Sequence, residues 1–314
     1  MTHLVAVGAC YLDTVLTVES YPAEDEKLRA SSLVRRRGGN CPNTVEVLQQ
    51  LLDLSKPPGA ITLALFTILP SRSSAGSQQI KSSLEPAINL THCLHREEVG
   101  EPASSYIIKS RSTGSRTIVN FNDLPEMTAS EFSTMADELG DKASLYHFEA
   151  TGQGRIPETT LECMRHLRRR FPSVRISVEV EKPGRAGLQE LAAEADVVFY
   201  SKTWAQSNGY LAPEECLRAQ ASLTPKAYDL APSPVNWRRA QGLWLTLLTG
   251  EHRVVDTIGA GDTFIAGMLY GLTCHGSDWA LSRKLDFATE LAGRKVRQEG
   301  FSGLGALVRH SVQH

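Results

Sequence analysis

Val254-Val255-Asp256-Thr257-Ile258-Gly259-Ala260-Gly261-Asp262-Thr263-Phe264 runs through small residues into an apolar stretch, Ile265 to Leu272. The small residues allow a sharp turn, and the apolar stretch, with Gly267 and Gly271 permitting close packing, predicts a buried helix. The amides of Ala260, Gly261 and Asp262 would then gather at the N-terminus of that helix. Unpaired amides and the positive end of the helix dipole make an anion site. A developing phosphoryl charge is what such a site stabilises, and Asp262 would stand beside it, able to take a proton from an attacking hydroxyl. Taken alone, Gly-x-Gly-Asp is equally a turn whose Asp caps a helix. The chain carries neither a Walker-type Gly-x-x-x-x-Gly-Lys-Ser/Thr nor a full Gly-x-Gly-x-x-Gly, which sets aside P-loop and dinucleotide-binding readings.

Upstream of this turn, strand and helix signals alternate. Leu145 to Glu149, Val174 to Val180 and Val197 to Tyr200 read as strands, with helices over Pro157 to Arg170 and Leu188 to Ala195. Leu4 to Gly8 and Ile61 to Leu69 read as further buried strands, and Asn43 to Leu52 as a helix entered through Gly38-Gly39. Repeated βα units predict an α/β fold, a Rossmann-like three-layer arrangement of one parallel sheet with helices on both faces. Ligands on such sheets bind outside the carboxyl ends of the strands. Loosely alternating segments at Asp13 to Val18 and Lys27 to Val34, and a hairpin formed by Ser104 to Lys109 and Arg116 to Phe121, predict a separate small sheet.

The 314 residues suffice for one domain with a sizeable core, and 41% hydrophobic with 22% charged residues is ordinary for a globular chain. A net charge of -2 gives no sign of a nucleic-acid surface. Arg35-Arg36-Arg37 and Arg168-Arg169-Arg170 read as solvated faces, although the first leads straight into Gly38-Gly39. The six cysteines are scattered, with no Cys-x-x-Cys pair, so neither a zinc site nor a disulfide framework is expected. Met1-Thr2-His3 followed by Leu4-Val5-Ala6-Val7 reads as a first strand and not a signal peptide, and no apolar run is long enough to span a bilayer. A cytoplasmic protein with no membrane partner is expected.

Asp256 to Phe264 resembles the C-terminal signature of the ribokinase-like (PfkB) carbohydrate kinases, and Arg37-Gly38-Gly39-Asn40-Cys41-Pro42-Asn43 their N-terminal one. Tyr21 to Asp25, Ser115 to Val119, Val178 to Pro183 and Asp196 to Lys202 are similar to blocks of the branch that phosphorylates ketohexoses such as fructose. The resemblance implies a single kinase domain over 1–314, with a lid sheet drawn from about 13–34 and 104–121, using ATP and Mg2+. It implies that Asp262 is the base and that Gly259, Ala260 and Gly261 form the anion hole, with Gly259 and Gly261 against phosphate. Asp13, Gly39, Asn40 and Asn43 match sugar-binding positions, and carboxylates and carboxamides are the groups a polyol needs. Asn40 and Asn43 could instead cap the following helix. Arg116 and Lys182 match basic positions near substrate and phosphate, and Asp25 is a further carboxylate for the sugar. Lids of this family often interlock, so a homodimer through the lid sheet is implied. The metal ligands are left open.

The chain departs from that pattern in three places. Ser201-Lys202-Thr203-Trp204 stands where many relatives have Asn-x-x-Glu, a motif that supports magnesium and phosphate. Glu149-Ala150-Thr151-Gly152-Gln153-Gly154-Arg155 stands where the ketohexose branch has Glu followed directly by Gly-Arg. The atypical segment 221–251 lacks the Thr-x-Gly-x-x-Gly of the nucleotide pocket and is rich in Pro, Trp and Arg, as a divergent splice product or a shifted frame would be. Two alternatives to a ketohexose kinase follow: a kinase of ribose or a nucleoside, and a catalytically impaired sugar-binding or interaction protein.

Overall fold

The computed structural model describes residues 2–57, 59–149, 157–226 and 254–313. Arg155 and residues 227–251 of the atypical segment lie outside them. The chain runs β1 (Thr2–Val7), β2 (Tyr11–Val18), β3 (Ser32–Gly38), α1 (Asn40–Ser55), β4 (Ile61–Phe66), β5 (Ile68–Pro70), α2 (Ala75–Leu84), β6 (Leu94–Arg96), β7 (Ser104–Ser110) and β8 (Arg116–Phe121). It continues through α3 (Ala129–Leu139), β9 (Ala143–Glu149), α4 (Pro157–Arg170), β10 (Arg175–Val180), α5 (Leu188–Glu194), β11 (Val197–Tyr200), α6 (Lys202–Ser207), α7 (Pro213–Ala221), α8 (Ala260–Cys274) and α9 (Leu281–Lys295). Two short helices, Leu304–Leu307 and Arg309–Gln313, follow.

A central sheet of five strands, in the order β11-β10-β9-β1-β4, is parallel throughout. Successive side chains on a strand point to opposite faces. Leu4, Ala6, Leu63, Leu65 and Leu145 accordingly pack with α1, α8 and α9, and Val5, Val7, Phe66, Tyr146, Phe148, Ile176 and Val178 with α3, α4 and α5. Helices thus cover both faces, as the sequence predicts. The glycines of α8 let it approach α9: a Cβ on Gly267 would come within 2.8 Å of the Ala288 Cα. The single strand expected over Ile61 to Leu69 is two, because the chain leaves the central sheet at Thr67 and β5 pairs with β6 instead.

The small sheet has the order β3-β2-β7-β8, with β2 and β7 parallel and the outer pairs antiparallel. Its third segment is Ser32–Gly38 and not Lys27 to Val34, so the Arg35-Arg36-Arg37 run lies inside a strand. Register puts Asp13, Arg36, Ser105, Lys109, Arg116 and Asn120 on one face, and Leu16, Leu33, Tyr106, Val119 and Phe121 on the other.

Candidate active site

Gly259 caps α8 with φ +79, a left-handed conformation that glycine adopts freely. A Cβ there would lie 2.2 Å from the Phe301 ring, so a side chain has no room either. The first bond of the helical ladder runs from Thr263 N–H to the Gly259 carbonyl at 2.9 Å. The Ala260 amide turns back to the Thr257 carbonyl at 3.4 Å, so of the three amides expected at the anion site, those of Gly261 and Asp262 precede the ladder. A Cβ on Gly261 would meet nothing within 4 Å, which leaves this end of the helix open. No side chain caps α8, so the reading of Asp262 as a mere helix cap falls.

Asp262 is buried, and Asn43 Nδ2 donates to its Oδ2 at 2.7 Å. The Asn43 Oδ1 accepts from Arg37 Nη1 at 2.8 Å, and Arg37 is ion-paired with Glu46. Burial raises the Asp262 carboxyl well above the ordinary carboxylate range, helped by the nearby negative charges of Glu179, Glu181 and Glu149 and opposed by the Asn43 hydrogen bond. Asn40 Nδ2 donates to Glu179 at 2.9 Å and reaches Glu181 at 3.4 Å. Neither Asn caps α1, whose cap is Gly39 with no side-chain bond. Gly39, at φ +104, lies against Ala9: a Cβ there would be 2.1 Å from the Ala9 carbonyl oxygen. Glu149, at the end of β9, accepts from the Ala9 amide at 3.1 Å.

His147 is enclosed behind these groups. Its ring nitrogens lie 3.0 Å from Ser177 Oγ and 3.1 Å from Glu179 Oε1, and burial lowers its pKa to about 4, which keeps it neutral. Cys41, His147 and Glu179 bring potential ligand atoms within 4.8 Å of one another. With both ring nitrogens engaged by the protein, the group is accounted for as a polar support under Asn40. Glu149, Glu179 and Glu181 place carboxylate oxygens near Asp262, and oxygen donors of this kind suit Mg2+ beside phosphate oxygens.

The other end of the turn has the opposite electrostatics. Asp256 accepts from the fully buried Lys295 ammonium at 2.9 Å, from Arg36 at 3.1 Å and from the Ile258 amide at 3.0 Å. Burial pushes its carboxyl up, but Lys295 and these donors outweigh that and hold it at about 2. The small sheet also grips this stretch: Lys109 Nζ donates to the Val255 carbonyl at 3.0 Å, and Arg116 to Thr257 Oγ1.

Asp13 is buried against Gly38, where a Cβ would clash with its carboxylate at 2.5 Å. Its pKa is raised by burial, against the pull of Ser105, Arg36 and Arg37. Lys182 lies two residues past the end of β10, at the carboxyl end of the sheet. Asp25 stands apart, exposed in the loop between β2 and β3 with φ +62. Where relatives have Asn-x-x-Glu, Ser201 caps α6 and donates to the Glu181 carbonyl at 2.6 Å. Sequence reasoning missed Arg37, His147, Ser177 and the carboxylates of Glu179 and Glu181. The signal was present: His147, Glu149, Ser177 and Glu179 interrupt strands of a parallel sheet that otherwise read as apolar runs.

Fold and site together define a sugar kinase. The chain belongs to the pfkB family of carbohydrate kinases, whose profile matches residues 1–304. It is 29% identical to ketohexokinase from Mus musculus over 96% of this chain and 98% of that protein. Among solved structures it resembles ribokinase of Arabidopsis thaliana complexed with ribose and ATP (TM-score 0.71, 16% identity, all of both chains). Ribokinase of Thermotoga maritima is similar as well (TM-score 0.68, 17% identity, 100% of this chain and 98% of that one). No helix among the described residues is long and apolar enough to cross a membrane.

Proposed function

We propose that this chain transfers the γ-phosphoryl group of ATP to a primary hydroxyl of a ketohexose such as fructose. The observation that carries the reading is a buried carboxyl with a raised pKa, Asp262, placed at the open N-terminus of α8. Similarity to mouse ketohexokinase supports the acceptor, and similarity to a ribokinase complexed with ATP supports the donor. Asp262 takes the hydroxyl proton as the new oxygen–phosphorus bond forms and the bond to the ADP oxygen breaks. The Gly261 and Asp262 amides stabilise charge on the transferring group, and Gly259 holds the turn that aims them. Glu149, Glu179 and Glu181 would hold Mg2+, which would supply countercharge to the phosphates. Asp13, Gly39 and Asn40 bind the sugar, Lys182 and Arg116 serve the phosphate side, and the small sheet covers the acceptor and excludes water. Asn43, matched to a sugar position, also supports the base: its amide donates to Asp262 and its oxygen accepts from Arg37.

An ADP-release assay over a panel of sugars tests this. Fructose turnover should fall on the order of 10²–10⁴-fold in Asp262→Ala; a variant that keeps most activity sinks the mechanism. Calorimetry with ATP and fructose separately checks the donor, and sugar binding without ATP binding overturns the kinase reading in favour of a sugar-binding protein.

The outer face of the small sheet supports a homodimer. Leu33, Tyr106, Val119 and Phe121 are 55%, 52%, 58% and 51% exposed, an apolar patch of the kind partners cover. Sedimentation should show a dimer that Tyr106→Glu with Val119→Glu dissociates; a wild-type monomer ends the idea. All six cysteines are free thiols, which suits a cytoplasmic location.

A further inference from the structure

Asn43 sits between two groups of fixed hydrogen-bonding character. An arginine guanidinium only donates and an ionised carboxylate only accepts. Arg37 Nη1 lies 2.8 Å from Asn43 Oδ1, and Asn43 Nδ2 lies 2.7 Å from Asp262 Oδ2. A carboxamide turned by half a rotation has the same shape but would set its oxygen against the carboxylate and its NH2 against the guanidinium. Arg37 therefore selects the productive orientation. Its side chain is 3% exposed, and Glu46, at 32%, holds it from the solvent side. The guanidinium makes no other side-chain hydrogen bond among the described residues, and its Nε is buried without a partner. Besides its ion pair with Glu46 and its electrostatic pull on Asp13, its hydrogen bond to the site goes to Asn43.

We propose that Arg37, braced by Glu46, is a positioning residue that fixes the Asn43 carboxamide with Nδ2 toward Asp262, so that one oxygen of the base is held and the other is left for the acceptor hydroxyl. This rests on Asp262 being the base. The titratable groups facing Asp262 are Glu149 on β9, Glu179 on β10, Glu181 just beyond it, and Lys295 on α9.

Arg37→Leu is the primary variant. We expect kcat for phosphorylation to fall on the order of 10–100-fold, as loss of a charge-assisted hydrogen bond implies, with KM for the sugar little changed. Arg37→Lys should recover part of the loss, and millimolar guanidinium should partly restore Arg37→Ala. In an Asn43→Ala background, Arg37→Leu should cost little more; an undiminished second loss means Arg37 acts by its charge alone and overturns the relay. An undiminished kcat in a folded Arg37→Leu protein also overturns it. If Arg37→Leu does not fold, Glu46→Ala carries the test: a smaller loss in kcat that the Asn43→Ala background absorbs supports the relay, and an unchanged kcat overturns it. If Asp262→Ala retains turnover, the base assignment has failed. If Asp262→Ala is inactive while Arg37 and Glu46 variants behave as wild type, only the relay has failed.

Discussion

Asp256 and Asp262 bracket the same turn, are both buried, and meet opposite surroundings. Asp256 is surrounded by donors, Lys295 and Arg36 among them, and its pKa is held at about 2. Asp262 faces three glutamates and one stabilising amide, and its pKa is driven up. Burial acts on both in the same sense, so the neighbours decide. A carboxylate matched by cations anchors structure; one left beside like charge is ready to bind a proton. On the proposed reading, the contrast separates a clamp from a base within one short stretch of chain.

The largest effect should come from Asp262→Asn, which keeps the shape and removes the charge. Turnover should fall on the order of 10²–10⁴-fold, while the melting temperature rises because a poorly compensated buried charge is gone. A lower melting temperature would break the contrast. Next is Lys295→Met, which removes the fully buried ammonium from Asp256. Breaking a buried pair costs about 3–5 kcal/mol, read as a lower denaturation midpoint, and Asp256→Asn in the same chain should recover part of it.

The two carboxylates also predict a sequence of losses as pH falls. Asp262 has a raised folded pKa, so its ionised form and with it turnover are lost above the ordinary value of 3.8. Asp256 has a depressed folded pKa, so its stabilisation is full above 3.8 and is lost as pH falls through about 2. Activity should therefore fail while Asp256 still anchors the turn. Measuring kcat and near-UV circular dichroism on the same pH series checks this; coincident losses would merge the two roles. The smallest effect belongs to Arg116→Ala, which severs the exposed contact to Thr257. Exposed contacts are worth about 1 kcal/mol or less, so we expect a loss of several-fold in kcat/KM for ATP, and a stability change too small to measure.

Much of the fold was legible because the pattern and the tertiary need agreed. Arg116 to Phe121, Pro157 to Arg170 and Val197 to Tyr200 appear as elements with the bounds that alternation and amphipathicity predict. Lys27 to Val34 failed because a charged run reads as solvated. In fact the guanidinium of Arg37 is enclosed by α1, where Asn43 and Glu46 meet it, and Arg36 is held by Asp256. In the candidate site, the turn at Gly259 was legible because its left-handed φ restricts residue choice. The contacts of Asn43 were not, since sequence alone does not put Arg37 and Asp262 on either side of its carboxamide.

The small sheet joins strands that are distant in sequence. β2 and β7 run side by side in parallel, yet β3, α1, β4, β5, α2 and β6 lie between them along the chain. Loop-closure entropy must be met before such a pairing contributes. On loop length alone, the pairing of Leu4 with Leu63 is expected before that of Leu12 with Ser104. Pulse-labelled hydrogen exchange should find Leu63 and Leu65 protected before Leu12 and Thr14. The strand that completes the central sheet, β9, pairs with β1 across a still longer stretch of chain, Leu4 with Leu145, so the last long-range pairing to form is in the central sheet and not in the small one.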